Sequence, residues 1–224
     1  MGLLKYYNLF IQGTRNTIIL SIITVLISII IGLILALMKL SKSKIIKGIS
    51  TAYVSIIRGT PLLVQIYIVF YGLPVLGFKL PSIQIAGVDF SRFASGIIAF
   101  SVNTSAYICE IIRTGILSID SGQKEAAESL GFNYKMSMRF IILPQALKNI
   151  LPALGNEFIT IIKESSMISI IGVPDLMYVA DTIRGITYDP FSALIVIAII
   201  YFVITCVLTT LLRKFEKRLR ASDG

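Results

Sequence analysis

Five stretches of the chain are continuous apolar runs, not alternating ones. Asn16 to Met38 carries no charged residue across 23 positions, and Pro190 to Leu212 carries none across another 23. Ile49 to Tyr71 is interrupted only by Arg58, and Phe93 to Ile112 is uncharged until Glu110. Asn149 to Ile171 holds Glu157, Lys163 and Glu164, so that segment cannot face lipid all round. About 20 apolar residues span the hydrocarbon core as a helix. Unpaired backbone is not tolerated there, and strands crossing a bilayer read as alternating patterns. The pattern therefore predicts an all-α membrane protein. Its single transmembrane domain covers residues 1–224, with five helices near 16–38, 49–71, 93–112, 149–171 and 190–212.

Composition agrees: 55% of residues are hydrophobic, 15% are charged, and mean hydropathy is +0.85. The net charge of +9 falls in clumps between the apolar runs. Fourteen of the 21 lysines and arginines lie in 39–50, 113–148 and 213–224, against five in the segments facing the other way. The richer side is cytoplasmic, which puts the N-terminus outside and the C-terminus inside. The opposite segments differ in character: 72–92 is rich in Gly and Pro, and 172–189 carries three aspartates against Arg184. No zinc-finger spacing or aromatic-interleaved basic face suggests nucleic acid as a partner. Cys109 and Cys206 sit singly inside apolar runs and there is no histidine, so no metal site is expected. The first run is too long for a cleavable signal and lacks a small-residue site after it. The lack of an internal repeat disfavours an inverted-repeat transporter.

Polar residues inside the runs are candidates for a lined path. Counting depth at about 1.5 Å per residue puts Thr60 near the middle of the second run and Asn103 near the middle of the third. Tyr107, Glu110 and Arg113 follow toward the cytoplasm, and Asn103, Tyr107 and Glu110 share one helical face. In the fourth run Glu157 and Thr160 are central, with Lys163 and Glu164 slightly outward. Structural readings stand beside these. Glu110 and Arg113, at i and i+3, can simply pair with each other, and Arg58 can snorkel to the headgroups. Pro61, Pro74 and Pro152 can kink helices for packing alone.

The cytoplasmic segment 118–144 has its own pattern. Asp120 or Ser121 is placed to cap a short helix over Gln123 to Leu130, and Gly131 permits a left-handed turn after it. Asn133 is placed to cap a second short helix, which Pro144 is expected to close. Ala126 and Ala127 keep the first helix slim, and Glu125 and Glu128 put charge at its edge. The bland reading is an amphipathic loop resting on the membrane.

Glu125-Ala126-Ala127, then Gly131, Ile141 and Leu143-Pro144 at the spacing found here, resembles the EAA loop of ATP-binding-cassette (ABC) importer permeases. Arg58-Gly59-Thr60-Pro61-Leu62-Leu63-Val64-Gln65, Tyr71-Gly72-Leu73-Pro74, Ala106-Tyr107, Glu110, Arg113, Gly122-Gln123, Pro144-Gln145-Ala146 and Ile171-Gly172 resemble the polar amino-acid branch of that family. The resemblance runs over roughly residues 12 to 212. One departure is Lys163-Glu164-Ser165-Ser166, where the branch usually has Lys-Asp-Thr-Ser; charge is kept but the carboxylate reaches one methylene farther.

The resemblance implies a type I importer transmembrane domain in a bacterial cytoplasmic membrane. It implies coupling to a separate ATPase subunit through Gly122, Gln123, Glu125, Ala126, Ala127, Leu130, Gly131, Arg139 and Pro144. It also implies a second permease subunit, a homodimer by default, and an extracytoplasmic substrate-binding protein. ATP and Mg belong to the ATPase; this chain has no Gly-x-x-x-x-Gly-Lys-Ser/Thr loop to cradle phosphate. For an amino-acid substrate, the expected path residues are Arg58, Thr60, Asn103, Tyr107, Glu110, Arg113, Glu157, Glu164, Ser165 and Ser166. Arg58 or Arg113 would meet a carboxylate and Glu110 or Glu164 a cation, and the glutamates lean the reading toward a basic amino acid. The competing readings are an ion-coupled secondary transporter or channel, against which the EAA loop speaks, and an intramembrane enzyme, for which no His or paired-Asp set is present.

Overall fold

The computed structural model describes residues 3–220; Met1, Gly2 and the tail end 221–224 lie outside the described residues. Among the described residues three helices are long and apolar enough to cross a membrane: α1 (Tyr7–Lys39), α4 (Phe90–Leu117) and α9 (Ser192–Arg220). Two bent pairs bring the crossings to five when each pair counts as one. The first pair is α2 (Lys44–Arg58) with α3 (Leu62–Val75), bent by 104°. The second is the stretch Tyr134–Ile171 with α8 (Leu176–Thr187), bent by 48°. Within that stretch, α6 (Tyr134–Ser137), a π turn (Met138–Ile142), α7 (Leu143–Glu164) and a 3-10 turn (Ser165–Ile171) follow one another.

The centre is the parallel pair α1 and α4. Their approach is close because a Cβ on Gly32 would lie 3.0 Å from Ser105 O and collide with Ile108. Ser21, Thr24 and Ser28 are fully buried along α1, and the Ser28 hydroxyl reaches Ser101 O at 3.4 Å. Small and hydroxylated residues are what membrane helices use where two backbones meet, since lipid offers no hydrophobic drive to press them together. Leu35, Ala36, Val54, Cys109, Ile112 and Ile150 form a core toward the C-terminal ends of α1 and α4. Phe10, Leu176, Ile183 and Ile197 form the core between α1, α8 and α9.

On the opposite side a hairpin, β1 (Gln84–Ile85) and β2 (Val88–Asp89), turns through Ala86 and Gly87, both with positive φ. Such a turn matches the twist of two paired strands. Arg15 donates to Ala86 O at 3.1 Å and ties the hairpin to α1. Asp89 caps α4 by accepting from Ser91 N at 2.8 Å. The Ser82 hydroxyl and these backbone donors hold its carboxyl below the usual range.

Two sequence expectations are corrected. The run 49–71 is not one helix. Pro61 lacks the N–H that would bond Ile57 O, and a Cβ on Gly59 would sit 2.8 Å from Ser55 O, so the chain turns sharply at Gly59–Pro61. Pro144 does not close the second loop helix. The π turn shifts the pairing, with Leu143 N bonding Met138 O, and so absorbs the missing donor; the helix runs on through α7. Boundaries also move: α1 begins at Tyr7 rather than near 16, α4 spans Phe90–Leu117 rather than 93–112, and α9 continues to Arg220.

Candidate functional site

The segment after α4 is a helix, a tight turn and a second helix. Asp120 caps α5 (Ser121–Ser129), accepting from Gly122 N at 2.6 Å. Such a cap contributes about 1 kcal/mol. The helix ends on Gly131 at φ +82°, with Gly131 N on Glu128 O and Phe132 N on Ala127 O at 3.0 Å each. This double bond is the Schellman arrangement, which satisfies the last carbonyls and needs a left-handed residue at the glycine. Asn133 caps α6, accepting from Met136 N at 3.0 Å. Ala127 faces inward and is buried, whereas Gly122, Gln123, Glu125, Ala126, Leu130 and Arg139 are exposed. Lys124 and Glu128 form an exposed pair at 3.7 Å, which contributes little.

One side-chain bond ties this knob to α7, and a second ties α7 to the end of α4 from which the knob springs. Gln145 on α7 donates to Gln123 Oε1 at 3.3 Å, and Asn149 donates to Ser118 Oγ at 3.1 Å. The same segment also exposes Leu130, Tyr134 and Phe140, each more than half accessible. Exposed large apolar side chains of this kind are candidates for a contact surface. Tyr134 and Phe140 were not among the expected coupling residues, because the apolar Phe132, Met136, Met138 and Ile141 beside them give no local sign of which side chains are exposed.

The polar residues of the spans divide into two groups. Glu110 is held by two cations, Lys39 on α1 and Arg113 on α4, the latter at 2.9 Å. Asn103 is buried and donates to Gln65 Oε1 at 2.9 Å; Thr60 bonds the Gln65 amide through Oγ1 at 2.7 Å. Ser165 is buried and donates to Ile162 O at 2.7 Å. Asn103, Thr60, Glu110 and Ser165 thus have partners within the bundle. The shared face of Asn103, Tyr107 and Glu110 meets α3, α2 and α1 in turn. Lys39 and Gln65 complete that packing and were not among the expected site residues.

The second group remains open. Tyr107 is 37% exposed and lies under the Arg58 guanidinium, 5.2 Å from its ring centroid. Glu157 and Glu164, two turns apart on α7, are half-buried and have no ion-pair partner among the described residues. Thr160 lies between them, Lys163 is exposed, and Ser166 bonds only its own helix through Lys163 O at 2.9 Å. No group of three or more metal-ligating side chains occurs among the described residues.

Comparison with known proteins adds a family. Residues 28–221 match the model of the binding-protein-dependent transport system inner membrane component. GlnP of Rickettsia bellii (strain RML369-C), named for glutamine transport as a permease protein, is 41% identical over 95% of this chain and 93% of its own length. The arginine transport system permease protein ArtQ of Bacillus subtilis (strain 168) is 38% identical with the same coverage. A crystal structure of an amino acid ABC transporter with histidines superposes with a TM-score of 0.89 at 47% identity, covering 96% of both chains. The MetNI methionine ABC transporter, at 16% identity and a TM-score of 0.78, shares the fold.

Proposed function

Since the chain belongs to the binding-protein-dependent transport system inner membrane component family, among the amino-acid permeases of ABC transporters, we propose that it forms the translocation path of an ATP-driven importer for polar, basic amino acids. It is a transport subunit and not an enzyme; ATP hydrolysis belongs to a separate ATPase, which also binds Mg. The knob built on α5 docks into a groove of that ATPase and faces the cytoplasm, as the basic loops require. Its bond through Gln123 carries ATPase motion into α7, and the Asn149–Ser118 bond passes it to the end of α4. A second permease copy completes the path, since five helices enclose little alone, and a substrate-binding protein delivers the amino acid from outside.

The observation that carries the basic-substrate reading is the neutralisation of Glu110 by two cations, which leaves Glu157 and Glu164 as the unpaired carboxylates of the path. An unpaired carboxylate in a membrane span is costly and faces a cavity or a ligand. A guanidinium or ammonium of the substrate supplies the missing charge, and Arg58 meets the substrate carboxylate. Replacing Glu164→Gln in the complex reconstituted with its ATPase is expected to raise KM for labelled arginine about tenfold, the loss of one charge-assisted contact, while assembly is unchanged. Normal import at limiting substrate would show that Glu164 does not touch the ligand.

A further inference from the structure

Gln65 stands at the corner where the second crossing breaks. Its side chain is 7% exposed, and its amide nitrogen donates to Ile57 O at 2.8 Å, Thr60 Oγ1 at 2.7 Å and Thr60 O at 3.1 Å. Ile57 O is the carbonyl that Pro61, four residues on, cannot serve. Thr60 Oγ1 in turn donates to Ile56 O at 3.0 Å. Ile56 O and Ile57 O, near the end of α2, are therefore served by two side chains. Gln65 Oε1 accepts from Asn103 Nδ2, and Asn103 is the fourteenth of the 28 residues of α4. The corner is pinned at mid-depth, where each unserved backbone group costs several kcal/mol.

This arrangement fixes a direction as well as a bend. Arg58 is the last residue of α2, where the partial negative charge of the helix end favours a cation. With the corner locked at 104°, its guanidinium projects over Tyr107 at the same depth. A corner without Gln65 would leave Ile57 O and Thr60 O seeking other donors, and the nearest flexible donor in sequence is the Arg58 guanidinium itself.

We propose that Gln65, braced by Asn103, is a positioning residue for transport: it seals the broken second crossing and so holds Arg58 free to receive the carboxylate of the amino acid. The inference rests on the reading that Arg58 lines the path. It assigns Gln65 no contact with substrate. Ile57 O, Thr60 O and the Thr60 hydroxyl occupy its two N–H donors, and Asn103 occupies its acceptor.

The test uses the complex of the full chain with its ATPase and binding protein in liposomes. Gln65→Met keeps the side-chain length and removes every donor. Expected is a rise of about tenfold in KM for import, with kcat changed less than about twofold, because binding and not the driven step is disturbed. A purely structural role would lower the amount of folded complex and the maximal rate but leave KM alone. Arg58→Gln is expected to raise KM similarly, and the double variant to match Arg58→Gln alone, since both act through one guanidinium. Should Gln65→Met not accumulate, Asn103→Ala replaces it, with an expected rise of about threefold from losing one brace. KM unchanged in both corner variants while Arg58→Gln raises it overturns the positioning role and leaves the path reading standing. KM unchanged in Arg58→Gln overturns the path reading at that residue and the proposal with it. Additive effects in the double variant overturn it too, since Gln65 would then act by another route.

Discussion

Gly131→Leu leaves the membrane bundle inserted but lowers substrate-stimulated ATP hydrolysis at least about tenfold, the largest effect expected of a single loop change. The cost begins in the backbone. Gly131 sits at φ +82°, a conformation that an L side chain disfavours by about 1–2 kcal/mol. Nothing lies within 4 Å of the position its Cβ would take, so no intramolecular clash adds to this. The strain is relieved by unwinding the last turn of α5, which forfeits the bonds from Gly131 N and Phe132 N and displaces Ala126 and Leu130. A leucine side chain in that open space also meets the docked ATPase. Ala126→Arg acts on the exposed face by bulk and charge with the backbone intact. Co-purification of the two subunits, together with stimulated turnover, checks both, with Lys42→Gln as a control. Normal coupling in both variants would remove α5 as the docking element.

Glu110→Gln is expected to destabilise the subunit by about 2 kcal/mol, below the 3–5 typical of a fully buried pair because the three side chains keep 15 to 31% exposure. The reason is uncompensated charge. Lys39 and Arg113 converge on one carboxylate, and its loss leaves two cations side by side toward the C-terminal ends of α1 and α4. Detergent-solubilised protein should unfold at a lower temperature, and import should fall with the amount of folded protein while KM stays constant. Adding Lys39→Gln to Glu110→Gln should restore part of the loss by removing one of the two cations. A raised KM with unchanged thermal stability would instead make Glu110 a ligand.

The sequence made the helical membrane class legible because uncharged runs of 23 residues admit few other structures. The loop was legible in outline, with the first cap narrowed to Asp120 or Ser121 and the turn and second cap placed at Gly131 and Asn133, since caps and left-handed turns are local chemistry. Pro144 misled because a proline is read as a stop, whereas one wide turn before it lets the helix continue. The break at Gly59–Pro61 was visible as a motif, but a hydropathy window averages across it and reports one span. The partners of Asn103 and Glu110 were out of reach for another reason. Gln65 lies 38 positions from Asn103 and Lys39 lies 71 from Glu110, and nothing local specifies such pairings. Depth counting placed Asn103 and Thr60 correctly near one level, yet could not tell an open cavity from a sealed corner.

The central claim is that a separate ATPase drives amino-acid movement through this chain. The most direct measurement is uptake of labelled basic amino acids into liposomes holding this subunit, its ATPase and its substrate-binding protein, with ATP on the α5 side and all ion gradients collapsed. The account predicts uptake that requires ATP, is faster for arginine or lysine than for glutamate, and raises ATP hydrolysis in parallel. Uptake that proceeds without ATP on an imposed proton or sodium gradient would contradict it.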